Sequence, residues 1–133
     1  MVSFKVPLRN EAVRRCLAAF EDADDAFRGT LDPQVVWCPI DENRAALHGT
    51  EAALRNRNAW LETWGEHRLE VEEVVESGDD VVALVHLTGR GKLSGVEADV
   101  RFYAQFKTRH GKVAYIYDHE DRTAALEAAG LPE

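Results

Sequence analysis

Asp118 is the residue best placed by type and setting to move a proton. It stands on a strand-like run from Val113 to about Glu120, in which Ala114, Ile116, Asp118 and Glu120 share one face. Val113, Tyr115, Tyr117 and His119 share the other. If the first set faces an enclosed apolar space, desolvation raises the Asp118 pKa and suits the carboxyl to acid or base work. The alternative is an aspartate that caps the next turn or pairs with an arginine such as Arg122. Glu120 follows roughly 7 Å along the strand; it either divides acid and base roles with Asp118 or frays into solvent. His86, between apolar neighbours on a second strand, could exchange protons near neutrality. On the pocket side it would form a dyad with Asp118. On the other side it would be a structural histidine bonded at a subunit interface. His119 points away from Asp118, so the run Asp118-His119-Glu120-Asp121 does not converge on a metal, and no metal site is expected.

A second set of residues could bind an apolar ligand. Trp60 and Trp64 lie on one side of a predicted helix, and with Trp37 they form either an aromatic pocket or plain core. Phe102 and Phe106 are core or pocket wall, and Ile116 shares the Asp118 face. Cys16 and Cys38 have no zinc-ligand spacing and no visible activating base, which predicts buried free thiols.

Several elements must position these groups. Asn10 can cap a helix from Glu11, carrying Val13, Leu17 and Phe20 on one stripe. Ala23 to Phe27 either continues it or forms a second short helix before Gly29. Gln34 to Cys38 reads as a short strand. Thr50 is a candidate cap for a helix over Glu51 to Trp64. His67 to Glu76 and Asp80 to Thr88 read as strands around the turn at Gly78, and Gly89 to Gly95 as a further turn. Val96 to Lys107 alternates strictly, the strongest strand signal in the chain. Arg109 to Lys112 turns into the last strand, and a short helix runs from Thr123 to Ala129. The Asp80 to Thr88 strand is apolar on both faces, so both faces are expected to be covered, one by helices and the other by a partner subunit. Tyr103, Tyr115 and Tyr117 on that outer face suit a dimer interface. The layout is α+β, with helices on one side of a mainly antiparallel sheet.

The chain has 133 residues, which predicts one domain over 1–133 with a real core. A net charge of −8 argues against nucleic-acid binding. No apolar run is long enough to span a membrane, and the N-terminal residues lack a signal-peptide core, so a cytoplasmic protein is expected.

The order helix, short strand, His48-Gly49-Thr50-Glu51-Ala52, aromatic-rich helix and Gly78-Asp79-Asp80-Val81 resembles the SnoaL-like branch of the nuclear-transport-factor-2-like superfamily. Ser94-Gly95-Val96, Gly111-Lys112-Val113 and the ending Ala124 to Leu131 extend the resemblance over nearly the whole chain. It implies a cone: a strongly curved mixed, mainly antiparallel sheet wrapped around the N-terminal helices, with a central pocket and pairing through the outer sheet face as a homodimer. It also implies a small apolar or polyketide-like ligand and no cofactor. Function in such a fold is either cofactor-independent acid/base catalysis of the cyclase, isomerase or hydrolase kind through Asp118, or non-catalytic ligand binding, or protein interaction through the outer face. Relatives with a pocket-facing aspartate carry it in an aromatic-Arg-Asp-Tyr context; here the residues are Ile116-Tyr117-Asp118-His119. The phenol and base of ketosteroid isomerases would fall near Cys16 and Cys38, so that proton shuttle is not expected.

Overall fold

Residues 1–40 and 45–133 are described in the computed structural model of the chain. The elements are β1 (Val2–Phe4), α1 (Glu11–Ala18), α2 (Asp24–Arg28), β2 (Leu31–Cys38), β3 (Leu47–His48), α3 (Thr50–Thr63), β4 (Trp64–Ser77), β5 (Asp80–Gly91), β6 (Glu97–Arg109), β7 (Lys112–His119) and α4 (Arg122–Ala129). Among the described residues no helix is long and apolar enough to cross a membrane.

The strands form one mixed sheet in the order β1-β4-β5-β6-β7-β2-β3. Pairing from β4 through β7 is antiparallel, while β1 joins β4 and β2 joins β7 in parallel. This corrects the expected cone. The sheet is open and neither closed nor strongly curled. Its two edges are β1, of three residues, and β3, of two. Strands so short offer too few hydrogen bonds to draw the edges together.

The expected helix placement is corrected as well. The main core joins Val13 and Leu17 of α1, Phe27 of α2 and Leu54 of α3 to Val81, Ala83 and Val85 of β5. A smaller cluster packs Ala125, Leu126 and Ala129 of α4 on Val82, with Val75 and Tyr103 beside it. The chain therefore covers part of its own outer face.

Three local features set this geometry. Asn10 starts α1: its Oδ1 accepts the Val13 amide at 3.1 Å, and Glu76 accepts the Arg9 and Asn10 amides at 2.7 Å each. A register shift in β4 lies between the pairs Val71–Val85 and Glu73–Leu84, so Glu72 is an extra residue. Val71 faces the core before it, and Val74, opposite Ala83, faces it after. The third feature is that β5 continues through Gly89 and Gly91 rather than turning there. A Cβ at Gly89 would lie 2.9 Å from the Glu66 carbonyl oxygen and the His67 Cβ. Gly89 thus permits close approach of two strands.

Candidate functional site

The inner face of the sheet and helices α1 to α3 line a partly open hollow of about 280 Å³. Period-two alternation supplies its floor. In the β6–β7 ladder Phe106 stands opposite Ile116, and Ala104 opposite Asp118. In the β5–β6 ladder Val85 stands opposite Phe102. All six side chains line the hollow. A register shift between Lys107 and Thr108 breaks the alternation near the start of β7. Val113 therefore enters the core, although parity along the strand assigns it to the outer face.

The roof is aromatic. Phe20 meets Phe27, Trp37 and Trp60 edge-on, with ring centroids at 5.6, 6.4 and 5.4 Å. Edge-to-face packing of this kind is favourable and fixes ring orientation. Arg57 holds the segment that carries Phe20 and Phe27. Its side chain is 1% exposed. It donates to the Phe20 carbonyl at 2.9 Å, the Asp22 carbonyl at 2.8 Å and Asp24 Oδ1 at 2.7 Å. Its guanidinium carbon lies 5.0 Å from the centre of the Phe27 ring.

Asp118 is 8% exposed and lines the hollow. Its Oδ2 accepts the Trp37 Nε1–H at 3.0 Å. Trp37 is brought there by the parallel pairing of β2 with β7, where it stands opposite Ile116. Asn56, one turn before Trp60 on α3, also lines the hollow. Cys16 also lines the hollow, but burial pushes its thiol up to about 12, against a smaller opposing effect of the Thr30 hydrogen bond. It remains a neutral thiol and no nucleophile.

Asp118, Trp37, Trp60, Phe102, Phe106 and Ile116 are thus brought together around one space. Trp64 stands behind Trp60, with ring centroids 5.9 Å apart, outside the lining. His86 lies across the sheet from Asp118. It faces outward, with Nε2 2.7 Å from Asp99 Oδ1 and Nδ1 3.3 Å from Glu72 Oε2. The two do not form a dyad. His119 is also outward, its Nε2 2.8 Å from Gln105 Oε1, and Glu120 is exposed. Sequence reasoning missed Asn56, Phe20 and Phe27 as wall residues. The Asn56–Trp60 spacing is a signal for the first, whereas Phe20 and Phe27 read as ordinary helix-face core.

The model of the SnoaL-like domain matches residues 13–116. The chain belongs to the SnoaL-like domain family. No curated protein matches it. Among solved structures, an NTF2-like protein of unknown function from Burkholderia pseudomallei is 22% identical, with 92% of this chain and 98% of that one covered and a TM-score of 0.73. TerC, co-crystallised with polyporic acid, is 23% identical over 90% and 95%, with a TM-score of 0.71. Bal32a, from a soil-derived mobile gene cassette, is 24% identical over 90% and 93%, with a TM-score of 0.71. At these identities the likeness is one of fold. In this SnoaL-like chain the matched span stops at Ile116, so Asp118 and α4 lie beyond it.

Proposed function

We propose that the hollow binds a compact, mainly apolar small molecule and that Asp118 serves as its acid/base group. The observation that carries this reading is a carboxylate only 8% exposed, set in an aromatic wall and oriented by the Trp37 indole at 3.0 Å. An apolar concavity with a few convergent polar groups is the usual form of a small-molecule site. Among the described lining residues Asp118 and Cys16 are the titratable ones, and the thiol stays protonated. One carboxylate suits a reaction in which the same group removes a proton beside a carbonyl and returns it elsewhere. Asn56 would donate to the oxygen on which charge develops.

The lack of a second acid on that described wall also favours a second reading, non-catalytic binding of the same class of ligand. Asp118→Asn separates the two. TerC was crystallised with polyporic acid, which makes that compound the first member of a panel of aromatic and carbonyl ligands. Binding is followed by fluorescence, since Trp37 and Trp60 line the site. Catalysis is read as exchange of ligand protons for deuterium. Exchange by the native chain, lost in D118N while affinity stays within about threefold, supports the enzyme, since general bases typically contribute on the order of 10²–10⁴-fold. Binding without exchange by either form supports the binder. Failure of the whole panel to bind removes both.

Family membership also supports pairing of two chains through the part of the outer face that α4 leaves open. Tyr115 and Tyr117 lie there. Sedimentation equilibrium showing only monomers at high micromolar concentration would exclude it.

A further inference from the structure

The outer face of the sheet carries a second group of potential ligands, on the side away from the hollow. Glu70 and Glu72 come from β4 and His86 from β5, with Glu70 and His86 directly opposite in the ladder. One ligand atom of each lies within 4.8 Å of the others. We infer that Glu70, Glu72 and His86 form a site for a divalent transition-metal ion, zinc or a close analogue, on this face.

The argument rests first on His86. Its side chain is 11% exposed, and its Nδ1 is buried without a hydrogen-bond partner among the described residues. Nε2 lies 2.7 Å from Asp99 Oδ1. A proton on Nε2 satisfies Asp99 and leaves a lone pair on Nδ1. A carboxylate that holds the far nitrogen of an imidazole is the usual support of a metal-bound histidine. That lone pair faces Glu72 Oε2 at 3.3 Å, acceptor against acceptor. A charge-assisted hydrogen bond would close to about 2.7–2.9 Å. Two donors each about 2.0–2.1 Å from a tetrahedral zinc ion stand about 3.3–3.4 Å apart. The observed spacing matches the second arrangement.

Charge and reach agree with this. Arg101 Nε bonds the other Glu72 oxygen, Oε1, at 2.9 Å, which leaves Oε2 for an ion. That bond holds the Glu72 carboxyl below the ordinary carboxylate range. Glu70, Glu72 and Asp99 face two side-chain cations, Lys5 and Arg101, so one negative charge is left over. Lys5 is 53% exposed, 3.2 Å from Glu70, and can swing into water as an ion enters. Carboxylate and imidazole donors together suit zinc, cobalt and manganese. Water would complete the shell.

The test uses the full chain stripped of metal by chelation and titrated with Co²⁺, whose visible absorption reports coordination, then with Zn²⁺ in competition. One Co²⁺ per chain is expected. His86→Ala and Glu72→Gln should each weaken binding at least about tenfold, and Asp99→Asn up to about tenfold. The metal-free variants should remain folded with cooperative urea unfolding, Glu72→Gln losing only what its bond to Arg101 contributes. Nitrogen NMR of the unmutated chain is a second readout: metal should shift His86 Nδ1 and leave His119 unmoved. Affinity unchanged by H86A, no binding at millimolar Co²⁺, or an Nδ1 that stays protonated with metal present would overturn the assignment.

Discussion

Arg57→Met is the perturbation that probes the wall of the hollow most directly. Methionine keeps the apolar stem and removes every donor. Two backbone carbonyls, of Phe20 and Asp22, then lose partners now at 2.9 and 2.8 Å. Both bonds are part-buried, and a hydrogen bond from a charged donor contributes about 1.5–3 kcal/mol, so the pair costs about 3–6. The contact with the Phe27 ring adds about 0.5–1 kcal/mol. Asp24 is 56% exposed and returns to water at little cost. Relief of the guanidinium's own desolvation offsets part of the loss, since no charge is left buried, and the net is about 3–5 kcal/mol. With a urea m-value of about 2 kcal/mol/M, the unfolding midpoint should fall by roughly 2 M. Arg57→Lys, with one head group in place of the fork, should recover only part of it. Loss of the anchor should also loosen Phe20 and Phe27, seen as broadened aromatic resonances. A midpoint shift below about 0.5 M, with those resonances unchanged, would refute the view that Arg57 holds the wall.

Three further outcomes are expected. Trp37→Phe removes the Asp118 donor, and a double-mutant cycle with Asp118→Asn read by urea unfolding should give a coupling of about 1–3 kcal/mol; a coupling near zero would dismiss the indole–carboxylate bond as an energetic contact. Cys16, with its thiol pushed up to about 12, exposes on the order of one thiolate in 10⁴ at pH 8. Native alkylation should then be at least about a hundredfold slower than in the unfolded chain, and equal rates by peptide mass spectrometry would contradict the burial. Asp32, bonded to Arg109 and the Gln34 amide, and Glu72, bonded to Arg101, are held below the usual carboxylate range. Their native values lie below their unfolded ones, so the stability they contribute is complete above about pH 5 and is lost as pH falls through the native values. Arg109→Met and Arg101→Met should flatten the fall in urea midpoint between about pH 5 and pH 3, and an undiminished fall in both would count against these pairs.

Much of the fold was legible in the order of the chain, because its longest signals are periodic. The alternation from Val96 to Lys107 covers most of β6, and the Asn10 cap opens α1 as read. Misreadings fall where a residue serves a neighbour distant in sequence. Gly89 and Gly91 read as turn formers, yet they lie within β5, and Gly89 lets two strands approach closely. Thr50 reads as a cap, but Gly49, at φ 88°, takes that position and α3 starts at Thr50 itself. β1 and β3 are too short for any pattern and exist through pairing alone. At the site, the set around Asp118 could be read from parity, since Ile116 and Asp118 share a face. The side on which His86 falls could not, because β5 is apolar on both faces. So short a chain offers no obvious second cover in its sequence, which points to a partner subunit; Ala125, Leu126 and Ala129 of α4 nevertheless seat on Val82.

The additional residue at Glu72 acts as a phase shifter for the rest of β4. Beyond it, Glu76 is turned toward the start of α1, where it receives two amides, and Val75 is turned toward α4. In an uninterrupted strand these two would exchange sides, leaving the first helix without its anion and the last without its apolar footing. With the bulge in place, one ribbon serves as foundation for helices on opposite sides of the molecule. Drawing Glu72 into the ladder would unseat both at once, whereas deleting it would leave Glu73 opposite Leu84 and both footings where they are.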